Sequence, residues 1–451
     1  MKIVIIGVGK IGLALAGSLS EEGHDLTLID TDQSVIEAAL NNFDVNGITG
    51  NGVNYSVQSE AGVAHADVVI ATTSSDEINM LCCLVAKKIG VRRTVARIRD
   101  PEYSKNFINL LDKMGLDLSV NPEFATAREI SKLIRYPSAI ALNSFAKGKV
   151  DVAEMRVPAG SPLDGVKIKN LSKKLDARVL ICAILRGEEL TIPNGESDIK
   201  ADDRIFFTSS HDQLSAFFRE MGVFRTRLKN AFIIGGGRIA YYLASMLCET
   251  GVSVKVIELD EKRCLELCEL LPKAQIICGD GTDMELLREE NFSHADVCIA
   301  VTGRDEENII VGMYAQREGI EKAVVKVSKT NLGDMFRAVG LDSVVSPKIL
   351  TENMILRYIR AMKSARGGEV LTVCRLVDDR VEAVEFHASE DSRAINIPLS
   401  RLSLKKDLLI CCIIRDNTII IPGGNDVIRA GDNVVVAVLS EKLSTLDDIL
   451  S

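Results

Sequence analysis

The chain has 451 residues, 47% hydrophobic and 26% charged, with a formal net charge of −9; that length asks for two to four cores and that balance for globular domains throughout. An acidic chain without clustered Lys and Arg is not a nucleic-acid binder, because phosphate neutralisation needs them. The longest nearly uncharged runs, such as 408–414, are far short of the roughly 20 apolar residues that span a bilayer, and one Lys followed by a glycine motif is no secretory signal, so a cytoplasmic location is expected.

From the start, short β-branched runs alternate with helical patterns: KIVII at 2–6, LALAGSLSE at 13–21, DLTLID at 25–30, DQSVIEAAL at 32–40, DVVIATT at 67–73 and NMLCCLVAKKIG at 79–90. That alternation predicts parallel βαβ units with helices on both faces, and the nearly unbroken apolar strands fit burial on both sides. Between the first strand and first helix stand Gly7, Val8, Gly9, Lys10, Ile11 and Gly12. The first glycine permits the tight turn, the second removes a Cβ from the path of a pyrophosphate, and the third lets helix and strand approach closely. The helix N-terminus then offers N–H groups and a positive dipole end to phosphates. Asp30 ends the second strand, where a carboxylate accepts from ribose hydroxyls and disfavours a 2′-phosphate. Lys10 in the first turn reaches a terminal phosphate or stays a solvated cation. Gly52 closes the ITGNG turn, Thr73 and Ser74 end the fourth strand at the carboxyl edge, and Arg97 ends the next strand, all at the crevice of such a sheet. Thr73 and Ser74 can instead cap the following helix, whose first turn carries Asp76 and Glu77.

After Pro122 a helical stretch leads out of the sheet domain. Then comes a small α+β module at about 151–217 with four or five short strands, a short helix at 166–171 and a turn at Asp203.

At an offset of 228 to 229 the chain repeats itself. HADVVIATT from His65 matches HADVCIAVT from His294, LICAILR at 180–186 matches LICCIIR at 409–415, and IPNG at 192 matches IPGG at 421. Two copies are fewer than stacked solenoid repeats need, so each copy must close its own core. The second cradle is Gly235, Gly236, Gly237, Arg238 and Ile239, with Ala240 in the third glycine position and Glu258 in the acidic one. Asp280 in ICGDG, Thr302 followed by Gly303, and Lys326 stand where Asn51, Thr73, Ser74 and Arg97 stand in the first copy. Gly431 in the second module's AGD turn is free to take positive φ. The expected organisation is an α/β chain with two Rossmann-like doubly wound parallel-sheet domains, 1–122 and 228–347. Crossover helices at 123–148 and 348–367 lead to small α+β modules at 149–218 and 368–451.

A dehydrogenase of this build needs an acid or base aimed at a substrate, and none stands out. His65 and His294 occupy matching loop positions and read as turn anchors. Eleven Cys lie mostly on apolar stretches, as reduced cysteine does when used as a small hydrophobe; Cys264 and Cys268 are four apart but lack the partners of a metal site.

The two cradles with GVGKIG, LID, ITGNG, DVVIATTSSDEIN and ARIRDPEY, each followed by a module with an IPNG or IPGG turn, resemble the Trk potassium-uptake regulators over essentially the whole chain. The resemblance implies TrkA-N (KTN or RCK) domains, each followed by a TrkA-C module. It further implies binding of NAD(H) or ATP/ADP, no catalytic residues, and docking under a TrkH- or TrkG-like membrane potassium-translocating subunit at the inner face of the plasma membrane. A ring of eight such domains at two per chain implies a homotetramer. Ala240, Gly303 and Lys326 depart from the first copy and leave the second ligand open. A soluble NAD-dependent oxidoreductase and a scaffold with vestigial motifs remain the alternatives.

Overall fold

The computed structural model describes residues 1–101, 103, 115–136, 139–145, 150–221, 228–328, 340–341, 343–364, 370–377, 380–416, 418–439 and 443–451. Strands β1 (Lys2–Ile6), β2 (Asp25–Asp30), β3 (Asn46–Thr49), β4 (Val68–Ala71), β5 (Arg93–Arg97) and β6 (Leu118–Val120) form one parallel sheet in the order β3-β2-β1-β4-β5-β6. Ile3 to Ile6 and Val68 to Ala71 are all buried, as strands covered on both faces must be. The strand order reverses between β1 and β4, which opens a crevice at their carboxyl ends. The helix Asp76–Ile89 is capped by Ser75, whose hydroxyl accepts from Ile78 N at 3.2 Å. Neither Thr73 nor Ser74 caps it, because the backbone needs one more residue to turn from strand to helix.

The first small module contains β7 (Ala139–Phe145), β8 (Val150–Arg156), β9 (Val166–Lys167), β10 (Leu180–Arg186), β11 (Glu189–Thr191), β12 (Asp198–Ile199) and β13 (Arg204–Ser210). Five of these make an antiparallel sheet in the order β11-β10-β13-β8-β7, and β9 pairs with β12 as a separate ribbon. The helix expected at 166–171 therefore begins late: Val166 and Lys167 are strand, a single 3-10 turn covers Ile168–Asn170, and the α-helix is Leu171–Lys174. Pairing with a segment some thirty residues downstream outweighs local helical preference here.

The second copy repeats the plan. Strands β14 (Asn230–Ile234), β15 (Ser253–Glu258), β16 (Gln275–Cys278), β17 (Val297–Ala300), β18 (Lys322–Lys326) and β19 (Ser343–Val345) lie in the parallel order β16-β15-β14-β17-β18-β19. Its module is the antiparallel sheet β20 (Val370–Leu376), β21 (Val381–His387), β24 (Asn433–Leu439), β22 (Leu408–Arg415) and β23 (Thr418–Ile420), in that spatial order. The two modules share a core in which Val152, Cys182 and Phe206 cluster with Ala383, Cys412 and Val435. Each module also contains one bidentate ion pair, Arg186 to Asp203 and Arg415 to Asp432, with both carboxylates buried. The aspartates also accept from Lys200 N and Arg429 N at 2.7 Å, so the pair clamps the turn in which Asp202 and Gly431 take φ of +66° and +86°. Gly431 thus adopts the conformation its sequence position called for.

By contacts the chain divides into two compact units, Met1–Arg128 with Ser346–Ile359, and Glu129–Val345 with Arg360–Ser451. The helix Pro347–Ser364, which follows the second sheet domain in sequence, gives most of its length to the first. There its Glu352 accepts a hydrogen bond from Ser18 on the helix Lys10–Glu21.

Candidate functional site

In the first sheet domain Gly7 turns with φ +90°, and a Cβ there would lie 2.6 Å from Thr73 N. A Cβ on Gly12 would lie 2.1 Å from the Gly7 carbonyl oxygen, so this glycine is required by the close approach of helix and loop. Gly9 is different: a Cβ there would meet nothing within 4 Å. It is the N-cap of the helix Lys10–Glu21 and makes no side-chain cap, so the first-turn N–H groups face an open cradle suited to phosphate oxygens. Asp30 closes the far side. Its carboxylate accepts from Val8 N at 2.6 Å and Asp32 N at 3.0 Å, which fixes its orientation while each oxygen retains a further lone pair for a ribose hydroxyl.

The second domain has the same frame. Gly235 turns with φ +99° against Thr302, Gly237 faces open space as the helix N-cap, and Glu258 accepts from Gly236 N at 2.5 Å and Asp260 N at 2.9 Å. Ala240 is buried in the third position, so this loop accommodates the methyl that Gly12 excludes. A cavity of about 400 Å³ opens over this frame, lined by Gly235, Gly237, Glu258, Asp280, Thr302 and Arg304 among others. Two hydrogen bonds from Thr282, backbone first and hydroxyl second, hold the Asp280 carboxyl below its usual range.

Of the remaining candidates, Lys10 and Arg238 are exposed first residues of their helices, and Ser74 is exposed. Ile11 is half-buried and Ile239 buried, both in the first helical turn. Gly52 packs under the sheet, where a Cβ would lie 2.2 Å from the Ile6 side chain. Arg97 approaches Glu123 at 4.0 Å, whereas Lys326 donates to the Thr302 carbonyl. Arg238, Ile239 and Lys326 lie outside the lining of the second cavity.

The residues that sequence reasoning passed over are Asn79 and Asn308, both fully buried. Asn79 accepts from Thr73 N at 2.8 Å and donates to Arg97 O at 2.8 Å; Asn308 accepts from Thr302 N at 2.8 Å and donates to Lys326 O at 2.9 Å. Each amide thereby ties the end of the fourth strand to the end of the fifth and sets the floor of its crevice. The recurrence of Asn within DEIN and DEEN was the available signal. Among the described residues no group of three or more His, Cys, Asp or Glu is placed to hold a metal, and no helix is long and apolar enough to cross a membrane.

The TrkA-N domain model matches residues 3–122 and 231–347, and the TrkA-C domain model matches 152–222 and 383–451. The chain is 33% identical to Trk system potassium uptake protein TrkA homolog 1 of Methanosarcina mazei, covering 99% of each chain. It is 32% identical to Trk system potassium uptake protein TrkA of Vibrio alginolyticus over 98% of this chain and 96% of that one. In fold it is similar to the GsuK channel bound to NAD, with a TM-score of 0.63 and 20% identity over 97% of this chain and 77% of that chain. GsuK bound to ADP aligns with a TM-score of 0.52 and 17% identity, over 80% and 69%.

Proposed function

This chain belongs to the TrkA family of Trk potassium-uptake proteins, and from that premise we propose that it is a nucleotide-binding regulatory subunit. In this reading it governs potassium flow through a TrkH- or TrkG-like membrane partner in response to NAD(H) or ATP/ADP. The family is one of potassium-uptake proteins, not of enzymes; in this reading the two glycine turns take phosphates and the carboxylates beside them take ribose hydroxyls. The observation that carries the reading is the pairing of an open helix N-terminus at Gly9 and Gly237 with a backbone-braced acid at Asp30 and Glu258. That arrangement favours a nucleotide whose ribose carries a free 2′-hydroxyl.

Binding regulates only if the nucleotide prefers one packing of the domains over another, and a preference of about 1 to 3 kcal/mol is typical of such coupling. With two sheet domains per chain, a closed ring of eight would take four chains, at the cytoplasmic face of the membrane beneath the partner. The NAD- and ADP-bound states of the similarly folded GsuK support these two ligand classes for the cradles.

The test is calorimetry of the full chain with ATP, ADP, NAD and NADH, repeated on Gly9→Asp and Gly237→Asp. An aspartate at either position puts a carboxylate against the phosphates, so each variant is expected to lose binding in its own cradle and keep the other. Unchanged affinity in either variant removes that cradle from the reading. Sedimentation of the same protein as a monomer would remove the ring.

A further inference from the structure

The second sheet domain gathers three cysteines beside its cavity. Cys264, on the helix Glu261–Leu270, is buried; its Sγ donates to the Glu258 carbonyl oxygen at 3.3 Å and interacts with the Cys278 thiol. Cys278 is exposed at the end of β16, directly opposite Glu258 in the parallel register. The next three residues, Gly279, Asp280 and Gly281, line the cavity. Cys268 is exposed one helical turn beyond Cys264. In the first copy the corresponding residues are Ile36, Leu40 and Thr49. Ile36 shows that an aliphatic side chain fills the place of Cys264, so burial alone does not require sulfur there. An exposed Cys278 has no core to fill.

We propose that Cys264 and Cys278 form an oxidisable thiol pair, a modification site that peroxide converts to an intrachain disulfide, and that this bond weakens nucleotide binding in the second cavity. The second half of the proposal rests on the nucleotide reading above; the first half does not. In the reducing cytosol such bonds are transient and redox-sensing. The Cys278 thiolate attacks one peroxide oxygen, the O–O bond breaks, a sulfenic acid forms, and the departing hydroxide takes up a proton as water. The Cys264 sulfur then attacks the Cys278 sulfur; the S–O bond breaks as the S–S bond forms, and the Cys264 proton leaves with the hydroxyl as a second water. Two thiols lose two electrons in all and one peroxide gains them. Burial first, and the neighbouring Cys278 second, push the Cys264 thiol up to about 12, so the exposed Cys278 is the sulfur that meets peroxide first, and Cys264 resolves it because it is the thiol adjacent to the sulfenic acid.

The consequence for the cavity is local. The disulfide removes the thiol donor from the Glu258 carbonyl, which then keeps only Gly279 N at 2.9 Å among its described partners. It also ties the helix Glu261–Leu270 to the strand end that leads into Gly279. Both changes fall on residues that hold the ribose-facing carboxylate and the cavity wall.

The experiment treats the full chain with hydrogen peroxide and maps unreduced peptides. A Cys264–Cys278 cross-link that dithiothreitol reverses is expected in the wild type and in Cys268→Ser, and none in Cys278→Ser. ADP titrations in the Gly9→Asp background, where only the second cavity binds, are expected to show about tenfold weaker affinity after oxidation, restored by dithiothreitol. No cross-link, or one made through Cys268, overturns the thiol pair. A cross-link with unchanged ADP affinity overturns the coupling. If the reduced protein binds no ADP at this cavity, the nucleotide reading fails there, while peptide mapping still decides the thiol pair.

Discussion

The two glycine cradles share a backbone and differ in what lines it. Both have a positive-φ glycine against a threonine, an open glycine N-cap, a braced acid and a buried asparagine clamp. Around that frame Asn51 becomes Asp280, Ser75 becomes Arg304, Ile78 becomes Glu307, and Gln58 becomes Leu287. Gln58 is buried and donates to Gly52 O at 2.6 Å and Cys82 O at 3.0 Å, so the first turn is held by an amide where the second is packed on an aliphatic side chain. Main-chain geometry is held by residue types for which few substitutes exist, glycine for space and φ, asparagine for paired donor and acceptor. The lining is under no such constraint, so it sets the charge each cradle presents: the second gains two carboxylates, partly offset by Arg304, which pairs with Glu307 at 2.7 Å.

The largest effect expected from this comparison is at the clamp. Asn79→Leu and Asn308→Leu each remove the amide hydrogen bonds that tie two strand ends together at part-buried main-chain groups, a cost of about 1 to 3 kcal/mol per variant. Denaturant melts of each variant check it; a loss at one site only would break the equivalence of the frames.

Next comes the third glycine. Gly12→Ala drives a methyl into the Gly7 carbonyl and is expected to cost about 1 to 3 kcal/mol as overpacking. Ala240→Gly meets no such contact and costs only about 0.5 to 1 kcal/mol through added backbone freedom in a helix. Equal losses would mean that the second loop is as tight as the first.

The smallest effect is at Asp280. Its carboxyl is depressed in the folded state, so the stability it contributes is present above the unfolded value near 3.8 and lost as pH falls through the folded one. Exposure and solvent screening keep the contribution small. Acid melts between about pH 5 and 2 should therefore show Asp280→Asn losing slightly less stability than the wild type, and the first cradle, with Asn51, has no counterpart to this term. Parallel melts of the two proteins would dispose of it.

By itself the sequence determined the duplication, the parallel sheets and both glycine turns. Those features rest on local rules: period-two and period-3.6 burial, glycine where a turn or a close backbone approach allows no Cβ, and an acid one strand away. Tertiary structure decided the rest. An amphipathic helix such as Pro347–Ser364 declares that one face is buried but not against which domain, and it joins the first sheet domain, whose sequence ended more than two hundred residues earlier. Val166 and Lys167 read as helix until pairing with Ile199 and Asp198 made them strand. The buried amides of Asn79 and Asn308, and the thiols of Cys264 and Cys278, acquire their chemistry only from neighbours distant in the chain, because a hydrogen bond or a disulfide is a statement about distance in space.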